Sequence, residues 1–252
     1  MRLPLIFVAS LLATPALAKA KVDMALSFSG MPVGKFFYSV TLDGDRYAIR
    51  AKGGTGGVAA VAASAKGTAT STGRLDTTGP VPAAHDVRWR DGRKKKRGTM
   101  TMRLENGRVA SLALKPRRKR KGAVPVTKAH LAGVIDPASA MIVPAPAKAD
   151  GTAVCGRRLP VFDGVNRYDL VMRHARTERV EAEGYRGPVH VCAVTYVPVA
   201  GHKPGRKSLK RLARATIEMT YAPLDGGVWG LWSFAVPTKW GTVRGVARRF
   251  GH

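Results

Sequence analysis

The 252-residue chain lacks any second long apolar run after its first dozen residues, and it is poor in carboxylates. Asp and Glu together number 16 against 43 Lys and Arg, a formal net charge of +27. An apolar helix needs about 20 uncharged residues to cross a bilayer. The longest candidate, Leu3 to Leu12, is shorter than that and is interrupted by Pro4 and Ser10. With two cysteines, Cys155 and Cys192, there is no Cys-x-x-Cys pair and no zinc ligand set. The six histidines form neither H-x-x-x-H nor H-E-x-x-H. Gly-x-Ser-x-Gly and a phosphate loop are also missing, and Gly53-Gly54-Thr55-Gly56-Gly57 has no lysine at the required place. These absences leave no motif that meets the requirements of a catalytic site, and they imply no metal and no cofactor.

What stands at the N-terminus reads as an export signal. Arg2 supplies the basic start, Leu3 to Leu12 the apolar stretch, and Ala16-Leu17-Ala18 a small-x-small cleavage site. Residues 1–18 are therefore expected to be removed, with residues 19–252 forming one β domain in the periplasm. No cysteine follows the cleavage site, which argues against a lipid anchor. Cleavage removes only Arg2 from the basic excess. In an exported chain that excess points away from nucleic acid and towards anionic phospholipid, lipopolysaccharide phosphates or acidic polymers. The other reading is a solvated basic surface without a specific partner. Export also decides the cysteines. An isolated pair in an oxidising compartment forms a disulfide, so Cys155 and Cys192 are expected to be bonded rather than reactive.

Alternation of apolar and polar residues dominates, which predicts strands. Val22, Met24, Leu26 and Phe28 share one face, as do Phe36, Tyr38, Val40 and Leu42. Asp43-Gly44-Asp45 turns the chain into Tyr47, Ile49 and Ala51. Later strands are predicted over 189–197, 215–221, 228–236 and 242–250. The stretch 53–73 reads either as a short helix or as small-residue strands. Two short helices are expected: one capped by Asp136 with Pro137 at its first turn, the other over 207–213. Asp163-Gly164 reads as a hairpin turn into a strand from Tyr168 to Arg173, followed by a strand around Glu178–Glu183, whose carboxylates pair with arginines.

The basic residues cluster. One run is Arg93, Lys94, Lys95, Lys96 and Arg97. The other spans Lys115 to Lys121 and includes Arg117, Arg118, Lys119, Arg120 and Lys121. If 86–90, 98–105 and 108–114 form a meander, the Asn106-Gly107 turn lies at one end and both basic runs lie together at the other. That rim would bind anionic surfaces; the alternative is that like charge keeps strand edges soluble. The set Lys203, Arg206, Lys207, Lys210, Arg211 and Arg214 is not placed by this reasoning.

Several short signatures occur in a set order: Met31-Pro32-Val33-Gly34, Ile135-Asp136-Pro137-Ala138-Ser139-Ala140, Val161-Phe162-Asp163-Gly164, Arg167-Tyr168-Asp169-Leu170 and Val236-Pro237. In this the chain resembles the exported bacterial envelope proteins of the domain of unknown function DUF3108, over about residues 22–250. The resemblance implies no activity. A similar exported family of envelope-integrity proteins is built as a β-spiral, an open barrel like that of periplasmic lipoprotein carriers. The fold it implies is all-β: one antiparallel open barrel with one or two short helices. The function it implies is non-enzymatic support of the envelope by a monomer, with an apolar or anionic lipid ligand held on the concave face. Phe28, Phe36, Tyr38, Trp229, Trp232 and Phe234 would then line the concavity or simply fill the core. The second reading is a periplasmic enzyme acting on an envelope polymer.

Overall fold

The computed structural model describes residues 18–56, 65–117 and 121–251. The expected signal segment, apart from Ala18, therefore lies outside the described residues. So do Arg118, Lys119 and Arg120. The strands are β1 (Ala18–Phe28), β2 (Met31–Asp43), β3 (Arg46–Thr55), β4 (Ala65–Leu75), β5 (Pro80–Asp91), β6 (Lys96–Glu105) and β7 (Arg108–Lys115) in the first half. The second half adds β8 (Ile142–Pro144), β9 (Arg158–Phe162), β10 (Arg167–Ala182), β11 (Tyr185–Ala200), β12 (Thr216–Leu224), β13 (Val228–Pro237) and β14 (Thr242–Gly251). The α-helices among the described residues are α1 (Gly151–Cys155) and α2 (Lys207–Arg214).

All fourteen strands join one antiparallel sheet in the order β7-β6-β5-β4-β3-β2-β1-β14-β13-β12-β11-β10-β9, with β8 beside β13. The sheet is open: β7 and β9 are its edges. The segment between β7 and β8 spans the seam. Ala132 bridges Arg108 of β7, Ile135 bridges Val161 of β9, and Ile142 to Pro144 pair with β13. Along this strap Val134, Ile142 and Val143 are fully buried. Each such side chain contributes about 1.5–3 kcal/mol when removed from water.

Alternation places Val22, Met24, Tyr38, Val40, Leu42, Tyr47 and Ile49 on the inner face, where they join Trp229, Trp232 and Phe250 in the main core. Burial pushes the Tyr38 and Tyr221 phenols up in pKa, so both remain neutral donors. Tyr38 donates to Leu231 O at 2.7 Å and Tyr221 to Ala140 O of the strap at 3.0 Å.

Three local expectations are refined. Asp136 Oδ1 accepts from Ala138 N and Ser139 N, but the N-cap is Ala138 and the helix is only a short 3-10 stretch, Ser139–Met141, because the chain must extend again at Ile142 to reach β13. The region predicted as two strands around Tyr168–Arg173 and Glu178–Glu183 is one 16-residue strand, β10, with a register irregularity between His174 and Arg176. In the ambiguous stretch 53–73, residues 53–55 end β3 and 65–73 belong to β4, as small-residue strands. Residues 57–64 lie outside the described residues. Helix α1 was not anticipated, although Asp150 is its N-cap, accepting from Ala153 N at 2.8 Å.

Candidate functional site

The outer face of β2 to β7 carries the site. Strand register aligns Phe37, Lys52, Thr68, Arg88, Thr99 and Lys115 in one cross-strand row. The next row holds Lys35, Gly54, Lys66, Arg90 and Arg97. Both rows alternate with the core positions and so face away from the core. They line an open groove of about 1140 Å³, with Trp89, Gly53, Gly67, Gly98 and Pro116 completing its walls. Seven of the lining residues are Lys or Arg and none is Asp or Glu. Lys52 Nζ lies 5.0 Å from the centre of the Phe37 ring. None of the seven cations joins an ion pair among the described residues. Concentrated positive potential over Phe37, threonine methyls and lysine stems suits a ligand with an anionic head and an apolar body.

The backbone here depends on glycine. On the inner face the Trp89 indole lies over Gly98, where a Cβ would come within 2.6 Å of three indole atoms. Phe36 covers Gly53 in the same way, at 3.0 Å. Aromatic rings thus take the space that glycine leaves in the sheet.

The meander brings the first basic run and the described part of the second to one end of the sheet. Asn106 and Gly107, both at positive φ, turn one end. The β5–β6 turn and the exit of β7 share the other end. Arg93, Lys94 and Lys95 lie in that turn and Lys96 and Arg97 begin β6; all five are exposed. Of these Arg97 reaches the groove, as does Lys115 of the second run. Arg117 and Lys121 are exposed beyond β7. The chain then meets the third basic set: Val124 N–H donates to His202 O and Gly201 N–H to Val124 O, both at 2.8 Å. Lys203 and Arg206 line a smaller pocket of about 360 Å³ beside α2. Sequence clustering found the runs but missed Lys35, Lys52, Lys66, Arg88 and Arg90. The available signal was basic residues on the outward phase of strands, as in Arg88-Trp89-Arg90.

The concave face holds packed side chains. Tyr38, Trp229 and Trp232 are core, and Phe36 and Phe234 rest against it. None of the six aromatics lines the groove. Of the two readings of these rings, packing in or against the core is the one that holds for Tyr38, Trp229, Trp232, Phe36 and Phe234, and the groove lies on the other face.

A Ser-His-Asp grouping does occur, inside the core. Asp136 Oδ1 is 3.0 Å from His85 Nδ1, and Asp136 Oδ2 accepts from Ser71 Oγ at 2.7 Å and Ser139 Oγ at 2.5 Å. His85 Nδ1 also faces Thr70 O at 3.1 Å, so with two acceptors before it this nitrogen carries the proton. Ser139 Oγ is bonded in turn to Tyr47 Oη at 2.7 Å. All these side chains are buried and mutually satisfied, which makes the grouping a latch from β4 and β5 to the strap. Among the described residues no three His, Cys, Asp or Glu are placed to hold a metal.

Cys155 and Cys192 are joined, and both are fully buried. The bond ties the end of α1 to β11, with Cα atoms 5.4 Å apart. The carboxylate cluster pairs with arginines: Glu178 with Arg176, Glu181 with Arg186 and Glu183 with Arg249.

No curated protein matches the chain. Among solved structures, a β-barrel-like protein of the domain of unknown function DUF1849 from Brucella abortus is similar. It shares 14% identity, with 93% of this chain and 96% of that chain covered at a TM-score of 0.49. A family model described as "Protein of unknown function (DUF3108)" matches residues 22–242. That span takes in the ordered signatures from Met31 to Val236-Pro237, and the chain belongs to the DUF3108 family.

Proposed function

We propose that this protein is an exported, non-enzymatic component of the cell envelope that binds an anionic amphiphile in the groove over β2–β7. The observation that carries this reading is the groove's lining of seven cations and no carboxylate around Phe37 and Pro116. Its volume exceeds the roughly 300–1,000 Å³ usual for small-molecule pockets, which suits an acyl chain better than a bare ion. Long-range attraction draws the head group in, and the apolar floor holds the chain. The N-terminal signal pattern and the buried disulfide support export in this reading.

The test is displacement of a fluorescent fatty acid from the protein. A long-chain carboxylate or lysophosphatidic acid should compete, and the methyl ester of the same chain should compete poorly. Equal competition by acid and ester, or no binding of either, overturns the reading. Intact mass of the protein from a periplasmic extract should begin at Lys19; retention of residues 1–18 there removes the export step.

A further inference from the structure

The end of the sheet that bears the basic turns also bears two large apolar side chains in water. Trp240 is 78% exposed and Met31 is 57% exposed. They sit on adjoining turns. Phe28 pairs with Met31 across the β1–β2 turn and with Val243 across the β1–β14 pairing. Ser29 N–H donates to Thr242 O at 3.0 Å, closing the β1–β2 turn onto the β13–β14 turn. A Cβ at Gly241 would fall 1.9 Å from Ser29 Oγ, so the two turns are held in direct contact. The exposed pair is therefore on rigid supports, not on free tails.

Charge surrounds this apolar tip. Lys239 Nζ lies 5.5 Å from the Trp240 ring. Further along the same end stand Lys35 and the β5–β6 turn with Lys94 and Lys95. Antiparallel order requires this: the β1–β2, β5–β6 and β13–β14 turns and the exit of β7 all leave the sheet on one side. The Lys35–Gly54–Lys66–Arg90–Arg97 row of the groove is the row nearest these turns.

A tryptophan and a thioether projecting among lysines and arginines have the chemistry of a bilayer interface. Indoles partition to the headgroup level, and cations gain from an anionic leaflet. We infer that this turn-bearing end is a docking face for an anionic phospholipid bilayer, with Trp240 and Met31 seated at the headgroup level and the groove row of Lys35 and Arg97 brought against the membrane. The groove would thereby load from, or deliver to, the bilayer without crossing water. This inference rests on the proposed ligand only for that last step; docking itself does not need an occupied groove.

Protein purified after expression of the full chain is mixed with vesicles of phosphatidylcholine containing phosphatidylglycerol, at low salt, and sedimented. Intact mass fixes the N-terminus, and all variants are compared with the same N-terminus. The wild type should bind in proportion to phosphatidylglycerol, and vesicles with brominated chains should quench its tryptophan emission. Trp240→Ser with Met31→Ser should weaken binding about tenfold or more and abolish the quenching, since partitioning depends on buried apolar area. Both residues are exposed, so the thermal midpoint should not move; an unchanged melt confirms the fold. Thr68→Trp, which blocks the groove, should leave vesicle binding intact while removing fatty-acid binding. Vesicle binding that ignores the Trp240/Met31 change, or that is absent in the wild type, overturns the docking face. A wild type that binds vesicles but no fatty acid would count only against the groove.

Discussion

His85 Nδ1 stands 3.0 Å from Asp136 Oδ1, and neither side chain reaches solvent. The contact joins β5 to the strap that spans the seam of the sheet. Asp136 is the shared acceptor for Ser71, Ser139, His85 and two backbone amides, Ala138 N and Ser139 N. An open sheet with two edges needs something across the seam, and this carboxylate is the point where the strap is fixed.

Asp136→Ala would leave several buried donors without an acceptor, each costing about 1–3 kcal/mol. The expected total is about 3–5 kcal/mol, seen as a thermal midpoint lower by on the order of 10 °C. Tyr221→Phe removes one hydrogen bond to Ala140 O and should cost only about 1 kcal/mol. Urea unfolding of both variants measures the contrast. Equal costs would show that the latch does not hold the strap.

Reduction gives a second comparison. Cys155 and Cys192 are 37 residues apart, and closing a loop of that length restricts the unfolded chain by about 4 kcal/mol in the chain-entropy treatment. The double substitution Cys155→Ala, Cys192→Ala should lower the urea midpoint correspondingly, and reductant should lower the wild type to nearly the same value. Reductant that leaves the wild-type midpoint unmoved would mean that the cross-link contributes little.

How far the sequence reveals this depends on the range of the interaction. Strand β2 is legible because Phe36-Tyr38-Val40-Leu42 records in its own pattern which face meets water, and β13 because Val228–Val236 is a short apolar run of the kind a strand buried on both faces shows. The meeting of the two basic runs is legible from turn parity alone. The strap is not: Asp136-Pro137 shows a local cap, whereas its partners Ser71 and His85 come from strands far away in sequence. The groove is hidden for the same reason. Lys52, Thr68 and Arg88 become one row only through register, and each alone reads as an ordinary outward-facing residue.

Acid sensitivity should trace in part to Glu218. A hydrogen bond from the Arg176 guanidinium, opposed by partial burial, holds its carboxyl below the usual range. A depressed folded pKa means the pair's stabilisation is present above the unfolded value near 4.3 and is lost as pH falls through the folded value. Arg176→Gln should therefore be less stable than wild type near neutrality, and the two unfolding curves should converge as pH drops below about 4. The Glu218 side chain is 36% exposed, so solvent screening limits the gap to at most about 1 kcal/mol. A gap that persists undiminished at low pH would assign the effect of Arg176 to packing.

The groove's two kinds of contact should separate under salt. Lys52 and Arg88 neighbour Thr68 on either side in the central row. Their replacement by Gln should weaken binding of a long-chain carboxylate most at low ionic strength, where screening is weakest, and flatten the salt dependence. Phe37→Ser removes apolar surface from the same row and should weaken binding by a similar factor at every salt concentration. The measurement is a displacement titration of each variant across ionic strength. Parallel salt curves for the Lys52/Arg88 variant and wild type would mean that the cations do not meet the head group. An unchanged affinity for Phe37→Ser would place the acyl chain elsewhere.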